Sequence, residues 1–150
     1  MFSIFFFIQP PPKGGFLGNE LIDIQELGIR LDSSLSATQI AKVGQKVQLK
    51  DGKSALNWHS WMDGATTIAL SNGDYVYVSN SEEDDGKGGV YGLYFDNEGK
   101  PYDYKQLLGG TTWNCSGGKT PWKTWISCEE HPQGQCWEIG TSARYEHCSF

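Results

Sequence analysis

Five side chains stand out for the chemistry their types allow: Asp63, Glu82, Cys115, Glu129 and Glu130. Cys115 lies in the run Asn114-Cys115-Ser116-Gly117-Gly118, where small neighbours let the backbone turn sharply and leave the sulfur unobstructed. A thiolate there suits a soft metal ion or nucleophilic attack; the alternative is a buried structural thiol. Glu129 and Glu130 follow the apolar run Thr124 to Cys128, so they emerge at the end of a strand. If the chain stays extended they point to opposite faces, and one of the two enters a shared site. Adjacent carboxylates at a strand end suit a hard cation such as calcium, and a solvated loop is the competing reading.

Two further acidic positions belong to the same question. Glu82 opens the run Glu82-Glu83-Asp84-Asp85 and lies closest to the strand before it, which makes it the inward candidate. Glu83 to Asp85 read as solvated, because runs of like charge usually are. The run lacks the alternating oxygen spacing of an EF-hand loop. Asp63-Gly64 reads as a turn ahead of a strand, with Asp63 either a ligand or a plain turn residue. His59, between Trp58 and Trp61, reads as packed and hydrogen-bonded rather than metal-bound, and Lys119 as a surface lysine rather than a phosphate contact. His131 and His147 fall in expected loops. No glycine-rich nucleotide loop, Ser-His-Asp order or nucleophile elbow is present.

Strands must position these groups. The segment Thr66-Thr67-Ile68-Ala69-Leu70, then Ser71-Asn72-Gly73-Asp74, then Tyr75 to Asn80 predicts a hairpin, with Asn72-Gly73 supplying positive φ angles. Gly88 to Phe95 and Tyr102 to Leu108 repeat the device around Asp96 to Pro101, with Gly99 at the turn. Thr124 to Cys128 and Gln135 to Ile139 form a third pair. The rhythm predicts an all-β chain: a partial β-propeller of about two blades, each a four-stranded antiparallel meander, after an irregular N-terminal segment. Since a propeller needs several blades to close, the polypeptide reads as part of a larger fold. One short helix is expected in Ser36 to Val47, begun by Ser36 and weakened at Gly44. The expected organisation is a vestigial leader over 1–15, the propeller-like part over 16–140 and a tail over 141–150 that continues no strand pattern.

Composition narrows the partners. The net charge of −6 over 150 residues supplies no basic stripe to neutralise phosphates, which excludes a nucleic-acid partner. It suits cation binding and equally an ordinary acidic surface. Aromatic residues make up 13% of the chain, and all six tryptophans lie between Trp58 and Trp137, which suits large side chains filling between sheets. The four cysteines allow two disulfides, or a metal ligand with others left over; without a CxxC spacing a zinc knuckle is not expected. Cys128 and Cys136 can bridge a short loop. Asn114-Cys115-Ser116 fits the glycosylation sequon, read here as accidental. The apolar residues after Met1 are too few to span a membrane and fit a secretory signal poorly. No partner protein is evident.

The run Asn114 to Glu130, NCSGGKTPWKTWISCEE, resembles the NC-A/G-GG-x-TPWGTW-x-x-CEE signature of the PhoX-type alkaline phosphatase family. Upstream, Asp63 to Glu82 is similar to a family segment that ends in an Asn-His-Glu triplet, and Gly88 to Asn114 to the hairpin that leads into the signature. The similarity covers about Asn57 to Ile139. It implies a truncated member of a family of exported enzymes that hydrolyse phosphomonoesters with calcium and ferric iron (Fe3+) in the channel of a β-propeller. By the same resemblance Cys115 is an iron ligand, at least one of Glu129 and Glu130 binds metal, and Glu82, the triplet's glutamate, is another ligand. Asp63 matches a further motif position and is counted with the metal ligands. Bound cations of this kind polarise phosphate oxygens and lower the pKa of water, so an acidic site can accept an anion. Two positions depart from the pattern: Ser81 stands for the triplet's histidine and Lys123 for the glycine of TPWGTW. The alternatives that remain are a non-catalytic propeller fragment and a calcium-binding module.

Overall fold

The structure, a computed structural model, describes residues 20–33 and 35–142, and the backbone of 145–148. The expected leader over 1–15 lies outside them. Among the described residues every regular element is a strand. Two short hairpins come first, β1 (Leu21–Ile24) with β2 (Ile29–Asp32), and β3 (Lys46–Leu49) with β4 (Gly52–Asn57). Two four-stranded antiparallel meanders follow. The first is β5 (Met62–Ala69), β6 (Tyr75–Ser81), β7 (Gly88–Phe95) and β8 (Pro101–Thr111). The second is β9 (Asn114–Lys119), β10 (Trp125–Glu129), β11 (Cys136–Ile139) and β12 (Tyr145–Cys148). Among the described residues these sheets close neither a barrel nor a ring.

The expected hairpins form, and their turns share one chemistry. In the first turn the Leu70 amide donates to the Asp74 carbonyl and Gly73 takes φ +90°; in the second the Asp96 amide donates to the Lys100 carbonyl and Gly99 takes φ +80°. Each is a three-residue loop ending in a left-handed glycine. Asn72 does not share the positive φ expected of it. The Asp96 carboxylate accepts the Glu98 and Lys100 amides and pairs with Lys50 at 3.0 Å. The amide bonds, the Lys100 one first, and the lysine hold its pKa below the usual carboxylate range.

Alternation in the first meander explains why both of its faces are covered. Val76, Val78, Val90 and Tyr94 pack with Trp125 and Ile139 of the second meander. On the other face Leu93, Phe95 and Tyr104 pack with Val47, Trp58 and Ala41. The expected helix in Ser36 to Val47 is absent. Residues 35–42 follow no regular structure, Gly44 turns at φ +76°, and Val47 lies in β3. Ile40, Ala41 and Val43 cover the Trp58 cluster as irregular chain, so tertiary burial overrides a weak helical pattern. The tail likewise departs from expectation. β12 pairs with β11 and completes the second meander, which places His147 in a strand rather than a loop.

A disulfide joins Cys128 to Cys136, which face each other across β10 and β11. Closing so short a loop contributes about 2.5 kcal/mol by the chain-entropy argument.

Candidate metal centre

The two meanders begin with the same irregularity. In the first, Met62 pairs with Ser81 and Ala65 with Ser79, so β5 carries one residue more than β6 across that step. In the second, Asn114 pairs with Glu129 and Gly117 with Ser127, so β9 carries one residue more than β10. Such bulges re-aim side chains and accentuate local twist. The bulged pairs are Asp63-Gly64 and Cys115-Ser116. Asp63 therefore lies within β5 on a bulge, not in the turn that its Asp-Gly sequence predicts.

Each bulge is preceded by an exposed tryptophan with positive φ, Trp61 at 46° and Trp113 at 52°. The Trp61 carbonyl accepts the Glu82 amide at 2.8 Å, and the Trp113 carbonyl accepts the Glu130 amide at 2.8 Å. The motif is thus repeated: tryptophan, one residue, a bulged side chain, and a glutamate returning on the neighbouring strand. In this correspondence Asp63 matches Cys115 and Glu82 matches Glu130.

Strands β5 and β9 pack together, which brings the two bulges side by side. Gly64 permits it: a Cβ there would lie 2.9 Å from the Cys115 carbonyl oxygen and 3.2 Å from the Ser116 Cα. The Cys115 thiol donates to Asp63 Oδ2 at 3.5 Å. One ligand atom each from Asp63, Glu82 and Cys115 lies within 4.8 Å of the others. Glu130 lies beside this group, near enough to raise the pKa of both the Cys115 thiol and Glu82. Beside them opens a cleft of about 330 Å³ lined by Trp61, Glu82, Glu83, Asp84, Trp113 and Glu130, with no lysine or arginine among these.

The electrostatics follow from crowding acids without a counter-charge. The Cys115 thiol is pushed up to about 12, chiefly by its hydrogen bond to the Glu130 carboxylate, then by burial, then by Asp63. Glu82 is raised by burial first, then by its hydrogen bond to Asp63 and the charges of Asp63 and Glu130. These neighbours favour the neutral forms of the Cys115 thiol and Glu82, and a bound cation is the species that would offset their charge instead.

The remaining sequence candidates divide. Glu129 faces away from the cluster: its carboxylate accepts the Thr112 amide at 2.7 Å and the Gln135 amide at 3.1 Å, tying two loops to the end of β10. Glu83 is half-buried rather than solvated and accepts from the Ser60 hydroxyl, whereas Asp84 and Asp85 are exposed. Lys119 lies at the far end of β9 from Cys115, 3.3 Å from the Thr67 carbonyl oxygen. His59 is buried, 2.9 Å from the Tyr104 hydroxyl and 3.1 Å from Ser79 Oγ, and stacked on Tyr91. Burial pushes its pKa down to about 3. Asn114 is fully buried, so the sequon cannot carry a glycan in this fold. Trp61 and Trp113 escaped the sequence reading as lining residues. The signal was their equal spacing, two residues before Asp63 and before Cys115.

An all-β chain with a thiol and carboxylates gathered from two meanders is, as a class, a candidate metalloprotein. Residues 97–148, about a third of the chain, match the model of the family Alkaline phosphatase PhoX. The match takes in Cys115, Glu129 and Glu130 and continues through β12; the upstream similarity around Asp63 and Glu82 lies outside it. No curated protein and no solved structure matches the chain. The resemblance carried by Asn114 to Glu130 therefore holds over that stretch, and it is to a family of phosphatases. No helix among the described residues is long and apolar enough to cross a membrane.

Proposed function

We propose that the chain forms part of a metal-dependent phosphomonoesterase, with Asp63, Glu82, Cys115 and Glu130 as its ligands for calcium and ferric iron. The observation that carries this reading is the convergence of three ligand atoms, from β5, β9 and the residue after β6, within 4.8 Å. The donor set fits both ions: carboxylate oxygens suit calcium, and a thiolate adds the softer donor that iron accepts. Bound there, the cations would polarise the phosphate oxygens and lower the pKa of water.

The residues themselves supply the rest. Asp63, Glu82 and Glu130 offer no positive group to receive phosphate, so cations bound among them would have to provide it. Glu129 acts on position alone, fixing the loops beside β10. On this reading Glu130, rather than Glu129, is the ligand of the adjacent pair, because it occupies the place that Glu82 holds in the first meander. The repeated bulge also supports reading the two meanders as neighbouring propeller blades. The Cys128–Cys136 disulfide supports an exported, oxidising location.

Elemental analysis of the purified protein, alongside p-nitrophenyl phosphate hydrolysis with and without a chelator, tests the assignment. Iron and calcium with chelator-sensitive turnover are the expected result. Metal-free protein without turnover would leave a non-catalytic propeller fragment, and calcium without iron or turnover a calcium-binding module.

A further inference from the structure

Between the two meanders, directly behind the candidate ligands, lies Asn80, two residues before Glu82 and completely buried. Its amide nitrogen donates to the Cys115 carbonyl at 3.0 Å and the Ser116 carbonyl at 3.2 Å. Its amide oxygen accepts from Trp125 Nε1 at 2.9 Å and Ser127 Oγ at 2.9 Å. We infer that Asn80 is the positioning residue of the metal centre, holding the Cys115 bulge against the strand that leads into Glu82.

The chemistry at this position admits little substitution. The indole nitrogen only donates and the two backbone carbonyls only accept, so the amide has one orientation and all its hydrogen-bonding groups are used. An ionised aspartate has the same shape but places oxygen against two carbonyls. An aliphatic side chain leaves the carbonyls and the indole without partners in a buried place, which is costly. Asn80 thus fixes the backbone of Cys115 and Ser116, while Glu82, just past the end of the strand that carries Asn80, supplies the facing ligand. Ser127 extends the network, because its hydroxyl also accepts from Asn114 Nδ2 at 3.0 Å, and Asn114 immediately precedes Cys115. The register of the sulfur against the carboxylates is therefore set from both sides of the bulge.

The inference rests on the proposed metal reading, and its test separates the two. Asn80→Asp keeps an oxygen for Trp125 and Ser127 and removes the donors to Cys115 and Ser116. Asn80→Ser, smaller and uncharged, is the second variant, and Ser127→Ala interrupts the network away from the bulge. Two readouts are taken on the full chain: ferric-ion titration followed by thiolate-to-iron absorption, and the rate of iodoacetamide alkylation of Cys115 in metal-free protein, mapped by peptide mass. Near-UV circular dichroism and cooperative urea unfolding identify variants that remain folded.

Folded Asn80→Asp and Asn80→Ser are expected to lose roughly 10- to 100-fold in iron affinity, as mutation of outer partners of metal ligands typically does. Their Cys115 is expected to alkylate faster than in the parent. Restoration of both readouts toward the parent in Asn80→Gln, if its longer amide reaches the same carbonyls, would agree with positioning. A folded Asn80→Asp or Asn80→Ser protein with parental affinity and parental alkylation would overturn the inference. If the parent binds no metal, the metal reading fails, and the alkylation rate alone decides the role of Asn80. If neither Asn80→Asp nor Asn80→Ser folds, Ser127→Ala decides: faster alkylation supports the network's role and an unchanged rate contradicts it.

Discussion

The opening strand pairs of the two meanders share a bulge, a left-handed tryptophan and a tryptophan-to-glutamate backbone hydrogen bond, and differ in the side chain they present. The first offers the carboxylate of Asp63, the second the thiol of Cys115. Their surroundings differ as well. The first meander is packed on both faces, by the second meander and by β3–β4, whereas the second reaches the shared core chiefly through Trp125 and Ile139. One backbone device can therefore deliver a hard oxygen and a soft sulfur to the same place. The function of each position is set by what faces it. Asp96, at the opposite end of the strands, is a carboxyl group like Glu82, but backbone amides and Lys50 satisfy it and lower its pKa; Glu82 faces other acids, and its pKa is raised.

Removing the contact between the meanders should have the largest effect. Trp125→Ala deletes a buried indole from the shared core and the hydrogen bond to Asn80, and should cost about 3–5 kcal/mol in urea unfolding. Metal binding should fall with it, because Asp63 and Cys115 come from opposite sides of that contact. A loss of under 1 kcal/mol, read against the usual range for buried aromatics, would show that the two units are nearly independent.

Gly64→Ala addresses the close approach itself. The added methyl meets backbone atoms that cannot rotate away, so about 1–3 kcal/mol should be lost. Iron affinity should fall further than the stability change alone would produce. The corresponding change in the second meander, Ser116→Ala, adds no atom and should leave stability nearly unchanged.

A smaller effect separates the acids by pH. The folded-state pKa of Glu82 is raised, so the unfolded chain releases that proton first. In chelator, the Glu82 contribution is most favourable below the ordinary glutamate range, about pH 4.3, and declines as the pH rises toward the native value. Glu82→Gln should remove this decline and stabilise the metal-free protein at neutral pH, by less than about 1 kcal/mol once solvent screening is included. Asp96 behaves in the opposite sense. Its lowered pKa contributes stability that is present above the ordinary aspartate range and lost as the pH falls through the folded value, so Asp96→Asn should flatten the acid limb of the same curve.

Much of this arrangement was legible in the sequence because turn chemistry is local. Gly73 and Gly99 end three-residue loops whatever surrounds them, and the alternating runs beside them have one sensible pairing. Cys128 and Cys136 were legible as a short bridge for the same reason. The helix expected at Ser36 to Val47 failed because the decisive contact, with Trp58, is not local. Asp63-Gly64 looked like a turn because a bulge uses the same residues, and only the pairing with Ser79 and Ser81 distinguishes the two. The choice between Glu129 and Glu130 was closed to sequence reasoning, since it depends on which of two adjacent amides reaches the Trp113 carbonyl. Asn80 looked like one more polar residue near a strand end, and its value lies in partners 35 and more positions away.

The most direct test is the thiolate-to-iron absorption of the ferric-loaded protein, compared between the parent, Cys115→Ala, Glu130→Gln and Glu129→Gln. The band should be present in the parent, absent from Cys115→Ala, weakened in Glu130→Gln and retained in Glu129→Gln. Iron content and absorption in Cys115→Ala equal to the parent's would contradict a shared centre built from the two bulges.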